Sequence, residues 1–480
     1  MEISKVRFIE PGNRPYRPSP KNLYTYERYI RNPSIGLMTL ATIVHESVPD
    51  TFMYSESVSK VVWDDVLDAN VVFIGIFTFA ALRGYEIAER IRRESDAVVV
   101  LGGLHASMNY PEAVEHADYV LLGEGDESVL ELLASLERDE VPSFPGIVYL
   151  RDGEVICAGQ RPAPHDIDTV PDRLLLYRYD RMASRNTLWP QVHASRGCPH
   201  SCDYCAVVRH FGRKVRTRSV ESVLEDIRQA IAFHERGTLP RLARVVWLTD
   251  DNFFADRAWA IEVLRAIIAS DIDYAFTVQA RYEVGFDDEM LDLMKRAGFF
   301  EVAMGIEFLE DESFEAYHKR CTHDDIVRAI ENIQAHGLNV RGLFIVGADT
   351  HTSGVGERLA RFVIEHGLRG VLIQAMYLVP GTPAYDAASD RLIDDDWSRT
   401  DGKVVMEPLR MSACELQEEI IHASRTIYSR KRLIHAILRE SGLDRLLFVG
   451  EYFWQKSIRS DLKADLPYLR AREGAKANRT

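Results

Sequence analysis

Continuous apolar runs separated by helix-period segments organise the chain from its start to about residue 160. VVFIGIF (71–77) and AVVVL (97–101) read as central strands of a parallel sheet, because a strand buried on both faces loses its apolar–polar alternation. Residues 5–9, 51–54 and 119–122 complete the strand set, and 35–45, 82–93 and 126–136 read as helices. Residues 147–150 and 154–158 flank Asp152-Gly153, a tight hairpin signature. This alternation predicts a doubly wound, Rossmann-like α/β domain over residues 1–160. Ligands on such folds bind beyond the carboxyl ends of the strands, which here carry Thr78, Gly102, Gly103, His105, Gly123, Glu124 and Gly125.

Residues 161–190 hold Pro162, Pro164, Pro171 and Pro190 with few apolar runs, and read as a linker. From 191 to 407 a strand–helix unit repeats six times, with strands at 191–195, 243–249, 274–280, 300–306, 340–346 and 371–378. Ser219 is a candidate N-cap of the first helix, and Gly298 a C-cap of the third. Six such units predict a partial (β/α)6 barrel, with its chemistry at the carboxyl ends of the strands. Residues 408–480 are expected as a small helical domain, with helices at 416–427 and 433–438 and a polar end that frays. Phe448, Tyr452, Phe453 and Trp454 read as helix core, and no strongly apolar exposed helix stands out by pattern.

The candidate chemistry begins at the end of the first barrel strand. Arg196-Gly197-Cys198-Pro199-His200-Ser201-Cys202-Asp203-Tyr204-Cys205 sets three cysteines at C-x₃-C-x₂-C. Three thiolates can hold three irons of a [4Fe–4S] cube and leave the fourth open to a small chelating ligand; electron-transfer clusters use four thiolates. The alternative is zinc, which wants four ligands, normally in C-x₂-C pairs, and His200 sits awkwardly inside the loop as a fourth. The spacing does not suit disulfides, and Cys157, Cys321 and Cys414 are scattered. A net charge of −15 argues against a general nucleic-acid binder. No stretch approaches the ~20 apolar residues of a membrane span, and the start MEISKVRFIEPG lacks an apolar signal core. An open cluster needs reducing surroundings, so a cytoplasmic location is expected.

The cysteine run resembles that of radical-SAM enzymes. The segments VVFIGIFTFAALRGYEIAERIR, VVVLGGLHASMNYPEAVEHADYVLLGEGDESVLELL and PGIVYLRDGEVI resemble the amino-terminal domain of the cobalamin-dependent members of that family, and with the barrel the resemblance covers roughly residues 1–400. It implies that Cys198, Cys202 and Cys205 ligate the cluster and that S-adenosylmethionine chelates the open iron, to be cleaved by one electron into methionine and a 5′-deoxyadenosyl radical. It sets Asp250 or Asp251 at the amino group of S-adenosylmethionine, Glu307 of Gly305-Ile306-Glu307 near the ribose, Tyr204 against adenine, and the Gly342–Gly347 strand behind it. Gln279 and Arg281 end the third strand, where Arg281 is expected to pair with the methionine carboxylate. Gln374 and Tyr377 either face substrate or serve the core.

The same resemblance implies cobalamin over the strand ends of the first domain, with His105 as a polar contact and no histidine of this chain on cobalt. The usual D-x-H-x-x-G motif is missing from that domain. Asp349-Thr350-His351-Thr352-Ser353-Gly354 matches it letter for letter, but follows a barrel strand and reads as a chance match. The expected activity is cobalamin-dependent methylation of an unactivated carbon in a small molecule, with flavodoxin or ferredoxin as electron donor and neither nucleic acid nor membrane span involved. The alternatives are radical dehydration, cyclisation or rearrangement, as on an aminoglycoside or tetrapyrrole, and a non-catalytic cobalamin or iron–sulfur sensor. No residue is assigned as catalytic.

Overall fold

The computed structural model describes residues 2–12, 30–31, 33–177, 187–188, 190–235 and 244–477. The first sheet contains β1 (Lys5–Glu10), β2 (Asp50–Ser55), β3 (Val71–Gly75), β4 (Val98–Gly102), β5 (Tyr119–Leu121), β6 (Ile147–Arg151) and β7 (Glu154–Cys157). Its order is β2-β1-β3-β4-β5-β6-β7, parallel through β5 and antiparallel beyond. Both faces are covered, which explains the unbroken apolar runs. Val72 and Ile74 bury on one face, and Val71 and Phe73 on the other. Helices α1 (Ile35–His45), α2 (Ala81–Glu94), α3 (Gly103–Met108) and α4 (Ser128–Glu137) supply the outer layers. Asp152 and Gly153 both adopt positive φ (51° and 83°), as the β6–β7 hairpin turn requires.

The second sheet runs β8 (Gln191–Val192), β9 (Val245–Leu248), β10 (Ala275–Ala280), β11 (Phe299–Glu307), β12 (Asn339–Val346) and β13 (Gly370–Ala375), all parallel and in sequence order. The expected 191–195 strand divides in two. Ser195–Arg196 leaves the barrel and pairs antiparallel with Arg216–Thr217, so the cysteine loop and α5 (Val207–Phe211) lie between the arms of a two-stranded clasp. Asp250 enforces the break: its carboxylate takes the Ser195 hydroxyl (2.5 Å) and the Ala194 N–H (3.3 Å). Helices α6 (Val220–Glu235), α7 (Arg257–Ala269), α8 (Asp288–Arg296), α9 (His323–Ala335) and α10 (Val355–Glu365) cover the outside. Ser219 accepts from the Ser222 N–H (3.2 Å), and Gly298 (φ 88°) follows α8.

Helices α11 (Ala413–Ile427), α12 (Arg430–Arg439) and α13 (Gly442–Ala477) complete the described chain. The polar end expected to fray is instead helical through Ala477. One narrow stripe of it is enough to dock: Leu462 and Leu469 are buried, Asp465 binds Arg399 through both oxygens (2.7 and 3.0 Å), and Glu473 accepts from Cys414 N (2.8 Å). No helix among the described residues is long and apolar enough to cross a membrane.

The segment after residue 160 ties the two sheets together. Leu175 and Leu176 enter the core of the first sheet, while Arg173 reaches Asp226 on α6 at 2.6 Å. Asp226 also binds Arg218 at 2.7 Å, and all three side chains are buried. Removing the shared carboxylate leaves two buried guanidiniums without their counter-charge. Asp226→Ala is therefore expected to cost about 3–5 kcal/mol, read as a fall in the urea midpoint; a midpoint matching the parent would contradict this reading of the contact.

Candidate functional site

The carboxyl ends of both sheets open into one cavity of about 1220 Å³. From the first sheet it is lined by Gly102, Gly103, Gly123, Glu124 and Gly125, with Phe77 and Phe79 stacked at 5.8 Å. From the barrel it is lined by His193, Thr249, Asp251 and Gln374, and from α13 by Trp454, the one aromatic of the expected core group that faces the cavity. Gly103 is required by close packing: at φ 89° an added Cβ would lie 3.0 Å from the Ile76 backbone. Gly123 is required by conformation, with φ 70° and open space where a side chain would point.

The cysteine loop is pinned from several sides. Arg196 binds Glu124 (2.7 Å) and Asp126 (2.8 Å), and Arg216 binds Glu124 (2.5 Å). Asp203 contacts His318 Nδ1 at 2.6 Å, and its carbonyl accepts from Ala384 N at 3.2 Å. Cys198, Cys202 and Cys205 are all free thiols. Burial pushes the Cys205 thiol up to about 12, reinforced by Cys202, Asp251 and Cys198. Burial raises Cys198 as well, against a lowering contribution from Arg281. Burial thus makes the protons of Cys198 and Cys205 hard to lose without a compensating cation. A metal cluster supplies one, and three thiolates suit three corners of a four-iron cube.

The residues expected around S-adenosylmethionine divide into two groups. Asp251 faces the cysteines; burial pushes its carboxyl up to about 6, and Oδ2 has no hydrogen-bond partner among the described residues. Asp250, fully buried and pushed up to about 7 by burial, is committed to Ser195 and Ala194 and does not line the cavity. Arg281 corrects a second expectation. Its Nε and Nη2 are held by Glu283 at 3.0–3.1 Å, and Nη1 lies 3.8 Å from Cys202 Sγ, so it serves the cysteine loop rather than standing free for a carboxylate. Gln279 is half-buried at the end of β10. Tyr204 packs edge-on against Phe308 and Tyr317 at 6.0 and 6.2 Å, and burial followed by Glu307 raises its phenol. Burial followed by Cys205 raises the Tyr377 phenol.

Glu307 sits at φ 68°, where β11 slips register against β12. A non-glycine residue held there at a strand's carboxyl end marks strain at a site. Lys319 supports this turn from beneath. It is buried, donates to the Gly305 carbonyl (2.6 Å) and the Ile306 carbonyl (3.1 Å), and lies 3.7 Å from Glu307 Oε1.

Two residues expected at the corrin are elsewhere. His105 is fully buried, with its ring edge-on to Trp397 (5.3 Å) and Nε2 3.7 Å from Glu112; the backbone turn at Gly103 carries it behind the strand ends. Thr78 is buried and outside the lining. Glu124 lines the cavity, but both its oxygens are taken by arginines. His351 accepts from Gly347 N (3.1 Å) and closes the loop after β12.

Sequence reasoning missed His193, His210 and Glu10, all on the cavity wall. Burial lowers His193 to about 3 and His210 to about 4; His193 Nε2, His210 Nδ1 and Glu10 Oε2 are buried without a hydrogen-bond partner among the described residues. The available signal was position. Both histidines flank the cysteine loop, and Glu10 ends β1, next to β3, where the strand order reverses.

Residues 192–363 match the Radical SAM superfamily. The chain is 25% identical over 373 residues to the hopanoid C-2 methylase of Rhodopseudomonas palustris, covering 76% of this chain and 66% of that protein. It is 24% identical over 372 residues to the anaerobic magnesium-protoporphyrin IX monomethyl ester cyclase of Cereibacter sphaeroides, covering 74% and 59%. Its fold matches TsrM, a radical S-adenosylmethionine methyltransferase from Kitasatospora setae solved with cobalamin and a [4Fe–4S] cluster bound, with TM-score 0.69 and 17% identity over 96% of this chain and 100% of that one. The radical SAM match takes in the barrel, residues 192–363. The fold beyond that segment, the first sheet included, is shared with TsrM.

The strained turn gives a direct test. Glu307→Gly is expected to hold or raise the urea midpoint, whereas Glu307→Val, β-branched at the same positive φ, is expected to cost about 1–3 kcal/mol. Equal losses in the two variants would contradict the assigned backbone conformation.

Proposed function

We propose that this enzyme methylates an unactivated carbon of a small-molecule substrate, using cobalamin together with S-adenosylmethionine. One observation carries the reading: the ligand-binding ends of both sheets open into the same cavity, so groups held on either sheet reach a common volume. That volume exceeds the ~300–1,000 Å³ of ordinary ligand pockets, as two large cofactors and a substrate require.

Cys198, Cys202 and Cys205 would hold the cluster, with Arg281 set against Cys202. Asp251 and Glu307 would take the amino group and ribose of S-adenosylmethionine, and Tyr204 would border its adenine. Gly102, Gly103, Gly123 and Gly125 would give the corrin its approach to the first sheet. When bound, these groups supply the electron, the 5′-deoxyadenosyl radical and the methyl group. The chain's own contribution is to orient the substrate between them and exclude water, with Gln374 and Trp454 on the substrate side. The electron would come from a reduced flavodoxin or ferredoxin, in the cytoplasm; the acidic chain gives no reason to expect a nucleic-acid substrate.

Similarity to the cyclase favours a second reading, in which the same radical start closes a ring without methyl transfer. Transfer of labelled methyl from S-adenosylmethionine to product separates the two.

The Cys198→Ala/Cys202→Ala/Cys205→Ala variant is expected to lose the brown ~400 nm absorbance of a thiolate-held cluster and all cleavage of S-adenosylmethionine; four irons retained per chain would refute the ligand set. Asp251→Asn is expected to weaken S-adenosylmethionine binding by ~1.5–3 kcal/mol with the iron content intact, while Asp250→Asn acts on the unfolding midpoint. Calorimetric titration and iron analysis of both variants check this division, and reversed effects would contradict it.

A further inference from the structure

Helix α12 (RKRLIHAILR) presents an apolar face to solvent: Ile434 is 56% exposed, Ile437 47% and Leu438 73%. Leu446, one turn into α13, adds 39%. Single exposed aliphatics are ordinary on a folded surface, but four on adjoining turns of one helical hairpin form a patch. Ile434 and Leu438 are four residues apart with Ile437 beside them, so they share one side of the helix.

The charges around this patch are sorted. Arg430, Lys431, Arg439 and Arg445 are exposed, and none makes an ion pair or side-chain hydrogen bond among the described residues. The acids of the same hairpin turn inward: Glu440 binds Arg369 (2.6 Å), Asp444 accepts from Asn339 (3.1 Å) and Glu451 binds Arg341. Arg432 also turns inward, over the Phe448 ring. A chain of net charge −15 therefore shows, at this one hairpin, a cationic rim around aliphatic side chains.

We propose that the α12–α13 hairpin docks the enzyme on the surface of an anionic lipid bilayer. Lipid phosphates neutralise the rim while the aliphatic tips enter the headgroup boundary, the two-part attraction that holds interfacial helices. A symmetric contact between two copies would set the four cations against their own counterparts. The patch adjoins Asn339 and Arg369, near the amino ends of β12 and β13. Docking there leaves the cysteine loop and the cavity, at the opposite ends of the strands, away from the lipid.

The experiment is co-sedimentation of the full-length holoenzyme with vesicles of phosphatidylcholine alone or of phosphatidylcholine mixed with phosphatidylglycerol. Binding is expected only to the mixed vesicles and is expected to fall as salt is raised. Lys431→Gln/Arg439→Gln is expected to lower the partition coefficient roughly thirtyfold. Ile434→Ser/Leu438→Ser should abolish binding, with the unfolding midpoint and cluster absorbance of both variants unchanged. Failure of the parent enzyme to bind mixed vesicles would overturn the proposal, as would parent-like binding by either variant. Sedimentation velocity adds a further arm: a dimer of the parent that the patch variants dissociate would assign this face to a second copy and overturn lipid docking.

Discussion

The carboxylate of Glu124 is the contact on which the geometry of the site depends. One oxygen is bound by both Arg196 and Arg216 and the other by Arg216, at 2.5–2.9 Å. The two arginines stand on opposite arms of the clasp that holds the cysteine loop, and Glu124 lies between two glycines at the end of β5. A buried carboxylate and two guanidiniums are tolerable only when mutually paired, because a lone member would keep its charge without solvent. A slip of either partner by one residue would expose that cost, so the register between the first sheet and the cysteines is sharply specified. Asp126, sharing Arg196, closes the set from the same loop.

The rest of the site follows from bringing two sets of strand ends face to face. Each sheet alone has the usual ligand crevice of its class; opposed, they merge into one cavity. Its wall holds polar groups that a water-filled cleft would hydrate and a packed core would pair. Asp251, His193, His210 and Glu10 each keep a buried polar atom without a hydrogen-bond partner among the described residues. Native interiors hold few such atoms, and their concentration here fits a space completed by large ligands. The left-handed Glu307, braced by Lys319, belongs to the same pattern of local cost accepted at a site.

Much of this was legible in the sequence because its signals are local. Continuous apolar runs gave the strands of both sheets, Asp152-Gly153 the hairpin, and the cysteine spacing the metal chemistry. What escaped depended on tertiary pairing. Glycine and glutamate at a strand end look alike whether they meet a cofactor or a neighbouring domain, so Glu124 read as a ligand contact when arginines about seventy and ninety residues away claim it. Asp250 and Asp251 are adjacent and chemically identical; only the departure of Ser195 from the barrel decides which carboxylate is spent. His105 was placed by loop analogy, but the turn at Gly103 carries it behind the strand ends. The terminal helix looked frayed because its apolar stripe is too narrow to dominate composition, and α12 escaped notice because its exposed aliphatics have the periodicity of a buried face.

The central claim is that the cluster and cobalamin occupy one cavity in this chain. Its most direct test is electron paramagnetic resonance of anaerobically reconstituted protein, with cob(II)alamin recorded before and after the cluster is reduced. The account predicts one cobalamin and four irons per chain, and a cob(II)alamin signal broadened by the nearby reduced cluster. A sharp, unperturbed cob(II)alamin signal beside a fully reduced cluster, or protein that takes up iron but no cobalamin, would contradict it.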